Sequence, residues 1–138
     1  MKRDWDLLRK QLTDIEEDRD VLADLPDEPK LDNFASWDEY EPKFKAYQTE
    51  NRRILGHLEL LIDNGYVEGI QILRGMDNTF SYGLHDPRLT MAGYDLLDTM
   101  RSQPVWEKIK SMAKTKGIEL TFDVIKSFSV LAIKQIIG

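Results

Sequence analysis

The chain has 138 residues, 41% hydrophobic and 32% charged, with 25 acidic against 19 basic side chains and a formal net charge of −6. That length suits one domain of ordinary size or a small domain with an added element, and the apolar fraction supports a core and excludes wholesale disorder. With no cysteine, disulfides, zinc–thiolate sites and thiol catalysis are excluded; no run of roughly 18 apolar residues suggests a membrane span. Charges return too soon after Met1-Lys2-Arg3-Asp4 for a secretory segment, so the expectation is a soluble, cytoplasmic protein with no membrane partner. The charge is uneven. Residues 1–42 carry 6 basic and 14 acidic groups, whereas residues 43–138 carry 13 basic and 11 acidic. An acidic whole argues against non-specific nucleic-acid binding, but the excess acid sits in the first third.

From Asp4 to about Ala23 the pattern predicts an amphipathic helix, with Trp5, Leu8, Leu12 and Ile15 as its apolar stripe. Residues 26–48 read as an acidic, proline-containing linker with short elements. Ser36 and Glu39 have capping-box spacing, but Pro42 should limit any helix there to a turn. Lys43 to Gln48 fits either a short strand or the start of the next helix. Thr49 to Asp63 predicts a helix striped by Ile54, Leu58 and Leu61, stopped by Asn64-Gly65. Tyr66 to Leu84 predicts a β-hairpin turning at Gly75-Met76-Asp77-Asn78, and Asp86-Pro87 should break the chain. Thr90 should cap a helix to about Arg101 with Tyr94, Leu97 and Met100 inward. Pro104 should open a helix ending near Gly117, and a last helix should run from about Thr121 nearly to Gly138.

The run Ile54-x₃-Leu58-x₂-Leu61-Ile62-x₂-Gly65-Tyr66-Val67-Glu68-Gly69, then a hairpin, then Leu89-Thr90-x₂-Gly93, resembles the winged-helix regulators. Met1-Lys2-Arg3-Asp4, Gly93-Tyr94-Asp95-Leu96-Leu97-Asp98, Val105-Trp106-x-Lys108 and Phe122-Asp123-Val124-Ile125-Lys126 narrow the likeness. They resemble a bacterial, often prophage-borne family of unknown function. The likeness implies an α+β, mainly helical fold: a winged helix-turn-helix body over 1–102 with a two- or three-stranded wing sheet, and a C-terminal helical extension over 103–138. It implies no established activity. Residues 26–48 depart from it, being longer and more acidic than a short linker.

On that fold the candidate double-stranded DNA surface is Lys43, Lys45, Gln48, Asn51, Arg52 and Arg53, with Arg74 and Asn78 from the wing. Arginine suits guanine, amides suit adenine and lysines suit phosphate. The footprint is thin, because few cations gather and Glu59 and Asp63 follow on the same helix. His57 and His85 lack metal-ligand spacing; His57 reads as a packed, hydrogen-bonded side chain, and Arg88 as an ion pair with Asp95 or Asp98. The acids Asp14, Glu16, Glu17, Asp18, Asp20, Asp24, Asp27 and Glu28 read as a solvated face and linker. The sharper reading of them is a surface that mimics nucleic acid or docks on a basic protein partner. The last helix is apolar nearly all round, which requires burial. Ile125, Phe128, Leu131, Ala132, Ile133 and Ile136 are its candidate homodimer residues. No phosphate loop, nucleophile elbow or zinc-protease motif points to an enzyme or a cofactor. The expectation is a DNA-binding transcriptional regulator of phage or prophage type; the alternative is a protein–protein interaction module.

Overall fold

The structure, a computed structural model, describes residues 1–137. Among these residues the fold is α+β and mainly helical, with five α-helices and one two-stranded antiparallel sheet. Helix α1 spans Trp5–Glu16. Asp4 caps it, its Oδ1 accepting the Leu7 amide at 3.1 Å, and Leu8, Leu12 and Ile15 face inward as expected. The helix stops short of the expected Ala23. Asp18 adopts a left-handed backbone, φ 56°, a conformation aspartate tolerates better than most residues. That turn sends the chain back so that Val21 and Leu22 also enter the core.

A short 3-10 turn, Leu31–Asn33, leads into α2, Trp37–Asp63, a single helix of 27 residues. The expectation that Pro42 limits this region to a turn is therefore corrected, and Lys43–Gln48 is helical. Ser36 Oγ accepts the Glu39 amide at 3.3 Å, while Glu39 Oε2 accepts the amide of Ala35, also at 3.3 Å. Pro42 withholds a donor only from the carbonyl of Asp38. Both residues are exposed, so water can serve that carbonyl. At ~1.5 Å per residue α2 is roughly 40 Å long and α1 roughly 18 Å; the longer helix extends past the shorter.

Gly65, φ 77°, ends α2 as expected. Strand β1, Val67–Arg74, pairs with β2, Phe80–Leu89. The register Val67↔Leu89, Glu68↔Arg88 then shifts to Ile70↔Leu84. Asp86-Pro87 does not end the strand, as had been expected, but sits in the bulge this shift creates. There β2 has spare residues, and no ladder donor is asked of proline. Gly69, φ 82°, faces the bulge; a Cβ on it would lie 2.3 Å from the Asp86 carbonyl oxygen.

Thr90 caps α3, Met91–Asp98, its Oγ1 accepting the Gly93 amide at 3.0 Å. The helix ends before the expected Arg101. Tyr94, expected inward, is 41% exposed, and Leu96 takes the buried place. Gly93 permits close approach, since a Cβ there would meet the Tyr66 carbonyl oxygen at 2.1 Å. Helix α4, Gln103–Lys116, carries Pro104 in its first turn and ends at left-handed Gly117, and α5 spans Phe122–Ile137. One core draws on every helix and both strands, with Trp106, Ile109 and Ile125 packed among the leucines of α1, α2 and α3. Trp106 is fully buried, and its Nε1 donates to Asp6 at 2.8 Å. The segments 1–102 and 103–137 thus share a core. No helix among the described residues is long and apolar enough to cross a membrane.

Candidate functional site

The candidate DNA residues of α2 do not share one face. Lys43 and Arg52 are nine residues apart, about two and a half turns at ~3.6 residues per turn, and so lie on opposite sides of the helix. Lys45, Gln48 and Arg52 do fall on one side, beside the hairpin. Asn51 is a correction: it is 2% exposed and cannot read a base. Its Oδ1 accepts the Phe80 amide at 2.6 Å and its Nδ2 donates to the Phe80 carbonyl at 3.1 Å. It fastens the start of β2 to α2. Gln48 likewise donates to the Asp77 carbonyl at the hairpin tip, 2.6 Å away. Asn78 is exposed at that tip in a left-handed conformation, φ 66°.

Carboxylates answer most of the cations. Lys45 pairs with Glu41 at 3.1 Å, Arg53 with Asp4 at 3.1 Å and Glu50 at 3.4 Å, and Arg74 with Glu59 at 2.6 Å. Lys43 and Arg52 have no ion-pair partner among the described residues. Arg52 leans over the Phe80 ring at 5.9 Å from its centre, and Arg74 over the same ring at 5.4 Å. Arg88 pairs with Glu68 at 2.9 Å, across the hairpin, rather than with Asp95 or Asp98. Register puts these two directly opposite each other, a relation the helix spacing of the acids concealed.

The residues preceding α1 cross the same helix. Met1 lies against Gly56, its sulfur 2.8 Å from where a Cβ would stand. His57 is fully buried, as expected. Its Nε2 accepts the Asp4 amide at 2.8 Å, and Nδ1 lies 2.6 Å from the Arg53 carbonyl. A carbonyl only accepts, so Nδ1 carries the proton and the ring is neutral. Burial holds its pKa below the ordinary histidine value, outweighing the Arg53 carbonyl and the nearby Asp4 charge, which act upward. Burial would raise Asp4, but the Leu7 amide and the Arg53 guanidinium hold it below the ordinary range.

Two apolar surfaces remain open. On α5, Ile125 and Ala132 are fully buried within the chain, and Phe128 packs on its core. Ile125 and Ala132 are thereby corrected as contacts for a second copy, whereas Phe128 is half-buried and stays a candidate. Leu131, Ile133 and Ile136 stay 44–50% exposed, with Val130 at 53% beside them. The second surface was not anticipated. Trp37, Tyr40, Phe44 and Tyr47 run along α2 at three- and four-residue steps, joined by Phe34. Their rings form a ladder: Phe34–Tyr40 at 5.7 Å, Trp37–Tyr40 at 5.4 Å, Tyr40–Phe44 at 5.6 Å and Phe44–Tyr47 at 5.9 Å between centres. None of the five rings packs on the core. The spacing was visible in the sequence, but the expected break at Pro42 hid its continuity.

The family described as "Hypothetical protein (DUF2513)" matches residues 2–119, most of the chain. The chain belongs to the DUF2513 family. This is a domain of unknown function, as the motif resemblance implied. The DUF2513 match runs from the residues preceding α1 through α4 and takes in the candidate DNA residues and the aromatic ladder; α5 lies beyond it. The chain is also 28% identical, over 138 residues and the full length of both, to an uncharacterised protein of Haemophilus influenzae strain Rd. No solved structure matches.

Proposed function

We propose that this DUF2513 protein is a winged-helix-like module that works by binding protein. The observation carrying this reading is the charge state of the expected DNA surface. Lys45, Arg53 and Arg74 each face a carboxylate, and Asn51 is used internally. Counterion release needs several free cations on one face, and Lys43 and Arg52 point to opposite sides. The test is fluorescence anisotropy with random and genomic duplex DNA at ~50 mM salt, where phosphate contacts are strongest. No saturable binding is expected; tight binding that falls at least tenfold in Arg52→Ala overturns the reading.

A second reading has its own support. Arg52 is exposed beside the wing with no carboxylate partner, and Arg74 and Lys45 lie on the same side. In that reading the protein is a phage- or prophage-type regulator whose α2 and hairpin touch DNA locally, and the Arg52→Ala arm above detects it. We also propose a homodimer through α5. Its support is the exposure of the apolar side chains Val130, Leu131, Ile133 and Ile136, which flank the buried side of the helix, since exposed apolar surface marks interfaces. Light scattering checks it: a dimer is expected for the wild type and a monomer for Leu131→Lys with Ile136→Lys. A wild-type monomer rejects it.

A further inference from the structure

The apolar stripe of α2 is one continuous feature with two fates. At ~3.6 residues per turn, Trp37, Tyr40, Phe44 and Tyr47 fall on the same side of the helix as Asn51, Ile54, Leu58 and Leu61. The latter four are buried by the body; the former four continue past it. Trp37 is 57% exposed, and Leu31, in the 3-10 turn before the helix, 48%. The overhang from Trp37 to Gln48 is roughly 17 Å at ~1.5 Å per residue. An extended peptide of about five or six residues spans that length.

Charge decides what fits. The segment 24–42, which leads into and begins this helix, carries seven acidic groups and one basic, Lys30. Its balance equals the net charge of the whole chain, −6. Glu28, Asp32 and Asp38 have no ion-pair partner among the described residues. Glu28 lies near the ladder's inner end: burial first, then the charges of Glu28 and Asp77, lift the Tyr47 phenol above its ordinary pKa. Exposed aromatic faces attract guanidinium and ammonium groups, and the surrounding carboxylates both attract cations and repel phosphate. A single-stranded nucleic acid would use such rings only within a basic groove.

We propose that the aromatic overhang of α2 docks a short basic segment of a partner protein, arginine or lysine side chains lying on the rings and pairing with Glu28, Asp32 and Asp38. This rests on the interaction-module reading and names its partner chemistry. Stacking on the ladder makes the site selective for cations presented in series, not for any positive solute.

The test measures anisotropy of labelled hexa-arginine with the full chain, against a glycine–serine peptide of equal length. Hexa-arginine should bind and the neutral peptide should not. Trp37→Ala should weaken binding about tenfold, as expected for loss of one desolvated cation–π contact. Trp37→Phe, which keeps a ring, should restore most of it. Asp38→Lys should weaken it as strongly, while Asp123→Lys on α5, an equal change in charge, should change it less than about twofold. Trp37 lies outside the core, so all variants should melt like the wild type. No binding by hexa-arginine overturns the proposal, and so does an equal loss in Asp38→Lys and Asp123→Lys. Binding of oligothymidine that is lost in Trp37→Ala also overturns it, making the ladder a nucleic-acid platform. Failure with hexa-arginine and no duplex binding leaves the interaction-module reading standing; tight duplex binding that falls at least tenfold in Arg52→Ala removes that reading whatever the peptide does.

Discussion

The two halves of α2 carry the same kind of stripe and live in different surroundings. In residues 49–63 the inward positions are Asn51, Ile54, Leu55, Leu58 and Leu61, all nearly or fully buried. In residues 37–48 they are aromatic rings that touch one another and leave Trp37 in solvent. A periodic apolar pattern specifies the helix but not what covers it. Cover depends on how far α1 and the hairpin reach along α2. An uncovered stripe rich in aromatics is where a partner gains most, because rings bring large contact area with few rotatable bonds to order.

The largest effect expected from this contrast is Leu58→Ala. Leu58 is fully buried, and such a cavity costs about 2–5 kcal/mol. Phe44→Ala, fourteen residues earlier on the other half, should cost under ~1 kcal/mol of global stability, because its neighbours are the rings of Tyr40 and Tyr47 and not the core. Denaturant melts of the two variants measure the difference. Equal losses would mean that the overhang unfolds with the body as one unit.

Much of the body was legible in the sequence. The stripes of α1 and of Thr49–Asp63, the Asn64-Gly65 stop, the Thr90 cap and the hairpin all rest on local rules that the structure obeys. The failures came from reading a local rule without its surroundings. Pro42 lies in an exposed part of α2 where one lost bond matters little. Pro87 lies in a bulge that only the register shift between β1 and β2 creates. The site was less legible. Asn51 looked like a base-reading amide, yet its partner is the Phe80 backbone, 29 residues away. Arg53 looked free, yet Asp4 reaches it from 49 residues away. Long-range partners of polar side chains leave no periodic trace, so surface and core arginines or asparagines look alike in one sequence.

Asn51 sets the boundary between the two halves, and its removal is the next largest effect. Asn51→Ala leaves the Phe80 amide and carbonyl unpaired near the core edge, at an expected cost of about 1–3 kcal/mol. Amide exchange should also quicken at the hairpin tip, where Gly75 donates to the Thr79 carbonyl at 2.8 Å. An Asn51→Ala variant as stable as the wild type would show that α2 and β2 are held together without it.

On the buried half, His57 gives a pH-dependent readout. In the unfolded chain it takes a proton near pH 6.5; folded, burial keeps it neutral to lower pH. Between the two values the unfolded chain binds more protons, so the ring's contribution is complete above about 6.5 and is lost as pH falls through the folded value. Asp4, also held low, acts in a more acidic window, with its contribution present above 3.8 and lost below. Thermal melts from pH 7 to pH 5 should therefore show declining stability in the wild type. His57→Gln should be less stable at pH 7 by about 1–3 kcal/mol and flatter across that window. An unchanged slope would place the titration elsewhere.

The smallest effect separates the halves most sharply. Pro42→Ala restores a donor for the Asp38 carbonyl and removes a poor helix former from the overhang. In a helix interior that exchange would be worth about 3 kcal/mol. Here the gain should stay within the overhang, slowing amide exchange in residues 38–48 while global stability moves by less than ~0.5 kcal/mol. The reason is structural: the ladder does not pack on the core, so strengthening it adds nothing that global unfolding must break in the body. A large rise in the melting temperature would mean that the overhang and the body melt together, and the stripe would then be one cooperative unit despite its uneven cover.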